Sequence, residues 1–240
     1  MIEKVKNIVF QNRFWKSVFR HGMPVNARLR SEAVISNLFL HIHPVKIYKD
    51  SLLFRKTLGL GLISFYLFFI LCITGILLMF YYIPHVQRAY QDMKDLEFAV
   101  SFGMILRNMH RWGAHSMVAL VFLHMCRVFY TAGYRHPREF NWGVGVILFV
   151  CTLALSLTGY LLPWDQLAFW AITIVVNLIE TMPIIGDDLR YLVVGGTLVG
   201  QNALIRFYVM HVMVLPLLVT MLIAVHFWRI RKDGGLARPE

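Results

Sequence analysis

The sequence predicts an all-α membrane protein built on a four-transmembrane-helix bundle. Of its 240 residues 58% are hydrophobic, with a mean hydropathy of +0.60, whereas soluble domains are closer to half apolar. Four apolar segments reach the roughly 20 residues that cross a bilayer core. They are residues 58–82, 105–130, 142–162 and 204–230, called spans one to four. Lys and Arg also collect in alternate loops, as a protein that crosses a membrane four times requires.

A basic arm, residues 1–56, precedes the membrane domain at residues 57–235, and residues 236–240 form a C-terminal tail. Within the arm, apolar residues between positions 5 and 19 follow roughly one helical stripe, and Lys and Arg cover the other faces. This pattern predicts an N-terminal amphipathic helix in the membrane interface. A short helix packed on a partner subunit is the alternative. We expect no cleavable signal peptide, because the arm has no continuous apolar core.

The net charge is +11, and the Lys and Arg residues that produce it are distributed according to the predicted membrane topology. Eleven Lys and Arg precede residue 58, and further arginines follow spans two and four. The other two loops carry most of the acidic residues. The positive-inside rule therefore predicts that both termini lie on the cytoplasmic side. Anionic lipid, and not nucleic acid, is the expected partner of the basic surface.

The loop between spans three and four is about forty residues long and too apolar for a solvated connection. Its sequence begins "PWDQLAFWAITIVVNLIETMPIIGDDL". We expect short interfacial helices that cover another part of the molecule.

Histidines recur at matched positions in two spans. His110 and His124 are fourteen residues apart in span two, which places them on one helix face about 21 Å apart along the axis. His211 and His226 are fifteen apart in span four and about 60° from eclipsed. Both spans run in the same direction, so His110 and His211 share one depth, the outer level, and His124 and His226 share the inner level. Each pair could hold one haem iron, giving a four-helix bundle that encloses two haems. One membrane histidine alone more often just hydrogen-bonds a neighbouring helix.

Glycines repeat the same period in the other two spans. Gly61 and Gly75 are fourteen residues apart in span one, as are Gly145 and Gly159 in span three. Glycine lets a bulky group approach a helix backbone, so we expect Gly75 and Gly159 to give clearance to an outer haem and Gly61 and Gly145 to an inner one. Helix–helix packing is the alternative reading of such glycines.

Arginines near each level could pair with haem propionates. Those near the outer level are Arg107, Arg111 and Arg206, and those near the inner level are Arg127, Arg229 and Arg231. The inner set is also explained as positive-inside anchors. Pro216, between the two histidines of span four, is expected to bend that helix.

Five stretches taken together resemble one family. They are "TGILLMFYYIP", "LRNMHRW", "FLHMCRVFYTAGYRHPREFNW", "TGYLLPWDQ" and "RFYVMHVMVLPLL…HFWRIRKDGG". In this order and with both histidine spacings they are similar to the N-terminal, four-helix, dihaem half of the cytochrome b/b6 family. The similarity is greatest to cytochrome b6 and to the split cytochrome b of menaquinol:cytochrome c reductases.

The resemblance implies two haem b groups with bis-histidine ligation, His110 with His211 and His124 with His226. It implies an electron-transfer subunit of a quinol:cytochrome c, or plastocyanin-like acceptor, oxidoreductase, which moves electrons from an outer quinol site to an inner quinone site. Tyr160, Pro163 and Trp164 would border the outer site, and Arg231 and Lys232 the inner one. The expected partners are a Rieske iron–sulfur protein and a c-type cytochrome in a dimeric complex.

Two departures from the b6 pattern shape these expectations. Gly59 stands where cytochrome b6 has the cysteine that attaches a third haem, so we expect no covalent c-type haem by that route. The Pro-Glu-Trp-Tyr motif of the outer site does not occur in the sequence, which implies a separate C-terminal cytochrome b subunit resembling subunit IV. The expected location is a prokaryotic cytoplasmic or other energy-transducing membrane.

Two alternatives stay open at this point. The chain could be a dihaem b-type membrane anchor of another quinone-linked oxidoreductase, of the dehydrogenase or hydrogenase type. It could also be a haem-free transporter or scaffold, which the four matched histidines disfavour.

Overall fold

The structure is a computed structural model that describes residues 25–36 and 54–233. The chain divides into two units, residues 1–47 and 48–240. In the first unit, helix α1 (Ala27–Ser36) begins where the Asn26 side-chain oxygen accepts a hydrogen bond from Leu29 N–H at 2.8 Å, which caps the helix. The predicted interfacial helix, over residues 5–19, lies outside the described residues.

The second unit contains the four spans, and residues 54–233 form helices and loops without a strand. A short helix, α2 (Phe54–Thr57), precedes span one, α3 (Leu60–Met79). Span two is α5 (Gly103–Tyr130), span three is α6 (Glu139–Leu161), and span four is the continuous helical stretch Gln201–Asp233. Every end lies within three residues of its predicted position. The predicted all-α, four-transmembrane-helix fold class is confirmed.

The spans keep most of their apolar side chains on the outside. Phe69, Phe122, Leu153 and Leu217 are all more than two-fifths exposed, one on each span. Helices satisfy their own backbone hydrogen bonds, and apolar exposed faces suit hydrocarbon, so this arrangement fits lipid and not water. The chain is an integral membrane protein.

Shorter helices connect the spans at their outer ends. Helix α4 (Ala89–Phe98) joins spans one and two, and α7 (Gln166–Glu180) and α8 (Gly186–Val194) join spans three and four. Helix α7 begins at Asp165, whose carboxylate accepts the Ala168 N–H at 2.8 Å. These two helices are the short helices expected in this loop, and α7 is apolar. Their position in the membrane interface stays a prediction. With the adjoining ends of spans three and four they enclose a core of Leu161, Ala168, Ile172, Val176, Val194 and Ala203.

The spans pack in a defined order. Span one packs along span two, span two along span three, and span three along span four. Phe65 of span one touches Phe227 of span four with ring centroids 5.2 Å apart. Within the described residues, spans two and four are not among the helix pairs whose backbones pack closely. The two histidine-bearing spans therefore face each other across a gap that their side chains must bridge.

Span four is not a uniform α-helix. It consists of α9 (Gln201–Val209), a π-helical segment (Met210–Val214) and α10 (Leu215–Asp233). Pro216 has no N–H to donate to the preceding turn, and the irregularity expected from it takes the form of this π turn just before it. A π turn closes its hydrogen bonds over five residues instead of four, so it takes up one additional residue. The fifteen-residue spacing of His211 and His226 then corresponds to fourteen α-helical residues, as in span two.

Candidate functional site

The outer pair of histidines meets inside the bundle. His110 lies on α5 and His211 in the π segment, and their ring centroids are 6.2 Å apart with planes inclined by 75°. A metal ion bound between two imidazoles lies about 2.0–2.1 Å from one nitrogen of each, which places the ring centroids about 6.3 Å apart. The separation of this pair therefore fits bis-histidine ligation of one iron.

Both outer rings have a threonine partner. Thr74 Oγ1 is 2.9 Å from His110 Nδ1, and Thr158 Oγ1 is 3.1 Å from His211 Nδ1. The threonines are only 3% and 6% exposed. Because Nδ1 of each ring is engaged in this way, Nε2 is the nitrogen left for a ligand. The sequence reasoning missed these residues, although the repeated Thr-Gly pair at 74–75 and 158–159 is a signal that could have revealed them.

The inner pair is also assembled from α5 and α10. His124 and His226 are both half-buried and lie within electrostatic range of each other. The His226 ring faces the backbone of Asn141, near the start of α6. The residues that precede the inner glycines are Leu60 and Val144, so the hydroxyl found at the outer level has no counterpart here.

Each of the four glycines lies against one histidine ring. A Cβ added to Gly61 would be 3.1 Å from His124 Cε1, and one added to Gly75 would be 3.3 Å from His110 Cε1. The corresponding distances are 3.8 Å from Gly145 to His226 and 2.5 Å from Gly159 to His211. The glycines thus admit imidazole rings to the helix backbone. Clearance for a porphyrin edge, which the sequence suggested, stays a prediction beside this observed contact.

The arginines near the outer level have partners within the protein. Arg107 forms an ion pair with Glu97 at 2.6 Å, and Arg206 donates to the backbone carbonyls of Tyr191 and Leu192 at the end of α8. Arg111 is exposed. Any propionate contact of Arg107 or Arg206 would be shared with these groups, so their predicted roles stay predictions.

At the inner end, basic side chains gather in the last turns of α5 and α10. Arg127 lies in the last turn of α5, and Arg231 and Lys232 in that of α10. Arg229 pairs with Asp233 at 3.2 Å and donates to the Pro137 carbonyl, also at 3.2 Å. Both side chains of the Arg229–Asp233 ion pair are largely buried, so the Arg229 guanidinium is neutralised within the protein.

The residues expected at the outer quinone site lie where span three ends. Tyr160 is exposed on the last turn of α6, and Pro163 and Trp164 follow that helix. Trp164 adopts a φ of +51°, a backbone conformation that bulky residues rarely occupy. Trp164, Tyr90, Asp165, Gln166 and Leu167 line an open cleft of about 420 Å³.

The donor set suits haem iron better than a bare metal ion. In the part of the chain that the structure describes, no three His, Cys, Asp or Glu side chains converge as a metal site would require. A structural zinc site uses four such ligands, whereas a haem supplies four nitrogens itself and needs only two axial ligands. Two imidazoles per level, with glycine beside each ring, fit a haem.

Comparison with known proteins leads to the same assignment. A family model described as Cytochrome b/b6/petB matches residues 45–234. The cytochrome b6 of Tupiella akineta is 45% identical over 175 residues, which are 73% of this chain and 81% of that protein. The cytochrome b6 of Heliomicrobium gestii is 41% identical over 192 residues, or 80% and 88% of the two chains.

A solved structure shares the fold. A chain of a hyperthermophilic respiratory Complex III superposes with a TM-score of 0.70 at 24% identity, over 97% of this chain and 56% of that one. This chain therefore spans about half the length of that structural relative. On the strength of the family model and of relatives above 40% identity, the chain belongs to the cytochrome b/b6 family.

Proposed function

We propose that the chain, as the cytochrome b subunit of a bc/b6f-type complex, carries electrons across the membrane by means of two haem b groups. His110 and His211 would hold the iron of an outer haem, and His124 and His226 would hold that of an inner haem. The observation that carries this proposal is the 6.2 Å separation of the outer imidazole rings, in a gap between two spans whose backbones do not pack.

Haem supplies a one-electron Fe(III)/Fe(II) couple when it is bound. The chain's own residues determine where this couple lies and what surrounds it. The histidines fix two levels about 21 Å apart along span two. The four glycines keep the rings against their neighbouring helices, and the apolar spans exclude water, which influences the reduction potential at each level.

The two ends of the bundle are the proposed quinone sites. At the outer end, Trp164 lines the cleft of about 420 Å³, and Tyr160 and Pro163 lie close to it in the chain. The positive φ of Trp164 supports a functional role for this end of the bundle. At the inner end, Arg231 and Lys232 provide cations suited to a quinone that takes up protons. The chain would conduct one electron from each quinol oxidised at the outer site to a quinone at the inner site.

The remaining subunits are proposed from the family to which the chain belongs. A separate C-terminal cytochrome b subunit supplies the Pro-Glu-Trp-Tyr side of the outer site, and a Rieske protein takes the other electron. A c-type cytochrome receives it in turn, and the complex is a dimer. The charge distribution supports a topology with both termini on the cytoplasmic side. The membrane that we propose is a prokaryotic energy-transducing one.

The test is to purify the intact complex from its native membrane, count haem b per chain by the pyridine haemochrome method, and identify its subunits by mass spectrometry. We expect two extractable b haems per copy of this chain, with a Rieske protein and a short cytochrome b subunit. A reduced spectrum without a b-type α-band would overturn the electron-transfer function. Copurification with a dehydrogenase or hydrogenase instead would favour the membrane-anchor alternative.

A further inference from the structure

We infer that Thr74 and Thr158 are positioning residues of the outer histidine pair, which hold His110 and His211 in the tautomer that presents Nε2 to a haem iron. The inference rests on the proposed function, because it assumes that these histidines ligate haem. It adds that the outer level is distinguished from the inner level by one side-chain hydrogen bond to each ligand.

The direction of the hydrogen bonds follows from what each hydroxyl proton already does. Thr74 Oγ1 donates to the Ile70 carbonyl at 2.8 Å, and Thr158 Oγ1 donates to the Ala154 carbonyl, also at 2.8 Å. A threonine hydroxyl has one proton and two lone pairs. With the proton committed to the helix backbone, the oxygen can only accept from the histidine, so Nδ1 carries a proton and Nε2 carries the lone pair that binds metal.

Hydroxyl bonding to a helix carbonyl is ordinary and would not by itself indicate a function. Ser64, Thr152 and Thr220 each donate to the carbonyl four residues earlier in the same way. In the described residues, only Thr74 and Thr158 add a hydrogen bond to a histidine ring. The histidine contact therefore sets these two threonines apart from the other back-bonded hydroxyls.

The arrangement occurs twice, on different helices and with the same offset. Each threonine directly precedes the glycine against which its histidine ring lies, Thr74 before Gly75 and Thr158 before Gly159. The glycine lets the ring approach the backbone, and the preceding residue then lies beside Nδ1. At the inner level this preceding residue is Leu60 or Val144, which has no hydroxyl to offer.

A hydrogen bond accepted from Nδ1–H makes the other ring nitrogen a stronger donor to the metal. Stronger donation favours Fe(III), so its loss should favour Fe(II) at the outer level alone. The hydrogen bond is made in both oxidation states, so only the difference in its strength between them changes the Fe(II)/Fe(III) ratio. We expect a change in that ratio of about three- to tenfold at most, at a fixed applied potential. A tenfold change equals about 59 mV for a one-electron couple.

The experiment compares Thr74→Val and Thr158→Val, which keep the branched side-chain shape, with Thr74→Ser and Thr158→Ser, which restore the hydroxyl. Thr152→Val is the matched control, because Thr152 is as buried as Thr158 on the same helix and makes only the backbone bond. Each variant is purified as the whole complex. Haem b per chain, potentiometric curves resolved into two haems, and the EPR spectrum of the ferric low-spin haems are measured.

In both valine variants we expect the Fe(II)/Fe(III) ratio and the EPR signal of the outer haem to shift, and those of the inner haem to stay unchanged. In the serine variants we expect both haems to behave as in the wild-type complex. Loss of the outer haem alone, restored by serine, would support the inference equally. The inference is overturned if both haems stay unchanged, if both shift together, if serine does not restore, or if Thr152→Val has the same effect. A wild-type complex with fewer than two b haems would instead contradict the proposed function, and the inference with it.

Discussion

The outer and inner histidine levels share one backbone design and differ in the side chains that finish it. At both levels a histidine from span two and one from span four lie against glycines of spans one and three. At the outer level each ring also has a buried threonine, whereas leucine and valine occupy those positions at the inner level. Glycine spacing thus places the histidine rings at both levels, and the residue before each glycine determines whether Nδ1 of the ring has a hydroxyl partner.

Replacement of one of the four histidines should have the largest effect that is confined to a single level. In His124→Leu we expect the inner haem to be lost and the outer haem to remain, because each iron needs both of its own imidazoles. Haem b per chain should fall from two to one, with the potential of the surviving haem little changed. Loss of both haems, or of neither, would contradict the assignment of ligands to levels.

The next largest difference between the levels should come from replacing the two glycines of span three by alanine. In Gly159→Ala the new Cβ would be 2.5 Å from His211 Cε1, so the ring must move, whereas in Gly145→Ala it would be 3.8 Å from His226 Cε1, an ordinary contact. Overpacking of this kind costs about 1–3 kcal/mol. We expect Gly159→Ala to lose or distort the outer haem and Gly145→Ala to retain both.

The two alanine variants also test the original reading of the glycines. If clearance for the porphyrin edge were their only role, the substitutions should be equally harmful at both levels. Haem counts and EPR spectra of the two complexes decide between these expectations.

A threonine added at the inner level should narrow the difference between the levels. Val144 is buried directly before Gly145, so Val144→Thr puts a hydroxyl beside His226 in the arrangement that the outer level already has. We expect about a three- to tenfold shift of the inner haem toward Fe(III), measured potentiometrically, with the outer haem unchanged. A shift of the inner haem toward Fe(II), or any shift of the outer haem, would contradict this role of the hydroxyl.

The smallest effect should come from Tyr82, which joins the outer ends of two spans. Its hydroxyl donates to the Leu162 carbonyl at 2.7 Å, and burial, with smaller contributions from Tyr208 and Asp92, raises the pKa of Tyr82 above its usual range. Tyr82→Phe should destabilise the complex by about 1 kcal/mol and leave both haem potentials in place.

The sign of the pH effect follows from the raised pKa. The folded protein holds the phenol proton more tightly than the unfolded chain, so the stabilisation is complete below about pH 10, the unfolded pKa, and is lost as pH rises above it. The thermal stability of the wild-type complex should therefore fall more steeply above that pH than the thermal stability of Tyr82→Phe. Parallel pH curves for the two proteins would contradict this, because they would show that the pKa of Tyr82 is the same in the folded and unfolded states.

The sequence was sufficient to locate the four spans and the histidines and glycines of the candidate site. Apolar length located the four helices, and the fourteen-residue period of His110, His124 and the glycines selected the faces that meet. Both signals are local, because they depend only on helical rise and rotation.

Features that depend on contacts between helices were not predictable in this way. The pairing of Arg107 with Glu97 and the capping of α8 by Arg206 require the loop helices to be in place. The threonine–histidine bonds need the register of span one against span two, and of span three against span four. The π turn was not predicted, because the sequence marks Pro216 but not how the preceding turn accommodates it. The expected bend stays a prediction.

The π turn of span four affects the spacing of the two histidine levels. By absorbing the surplus residue within Met210–Val214, it lets two helices of unequal residue count keep the same vertical interval, about 21 Å, set by peptide rise. In the proposed function, point substitutions would change how strongly either level holds an electron. The tunnelling distance between the two proposed haems would instead be set by the backbone, and only insertion or deletion of residues within a span would alter it.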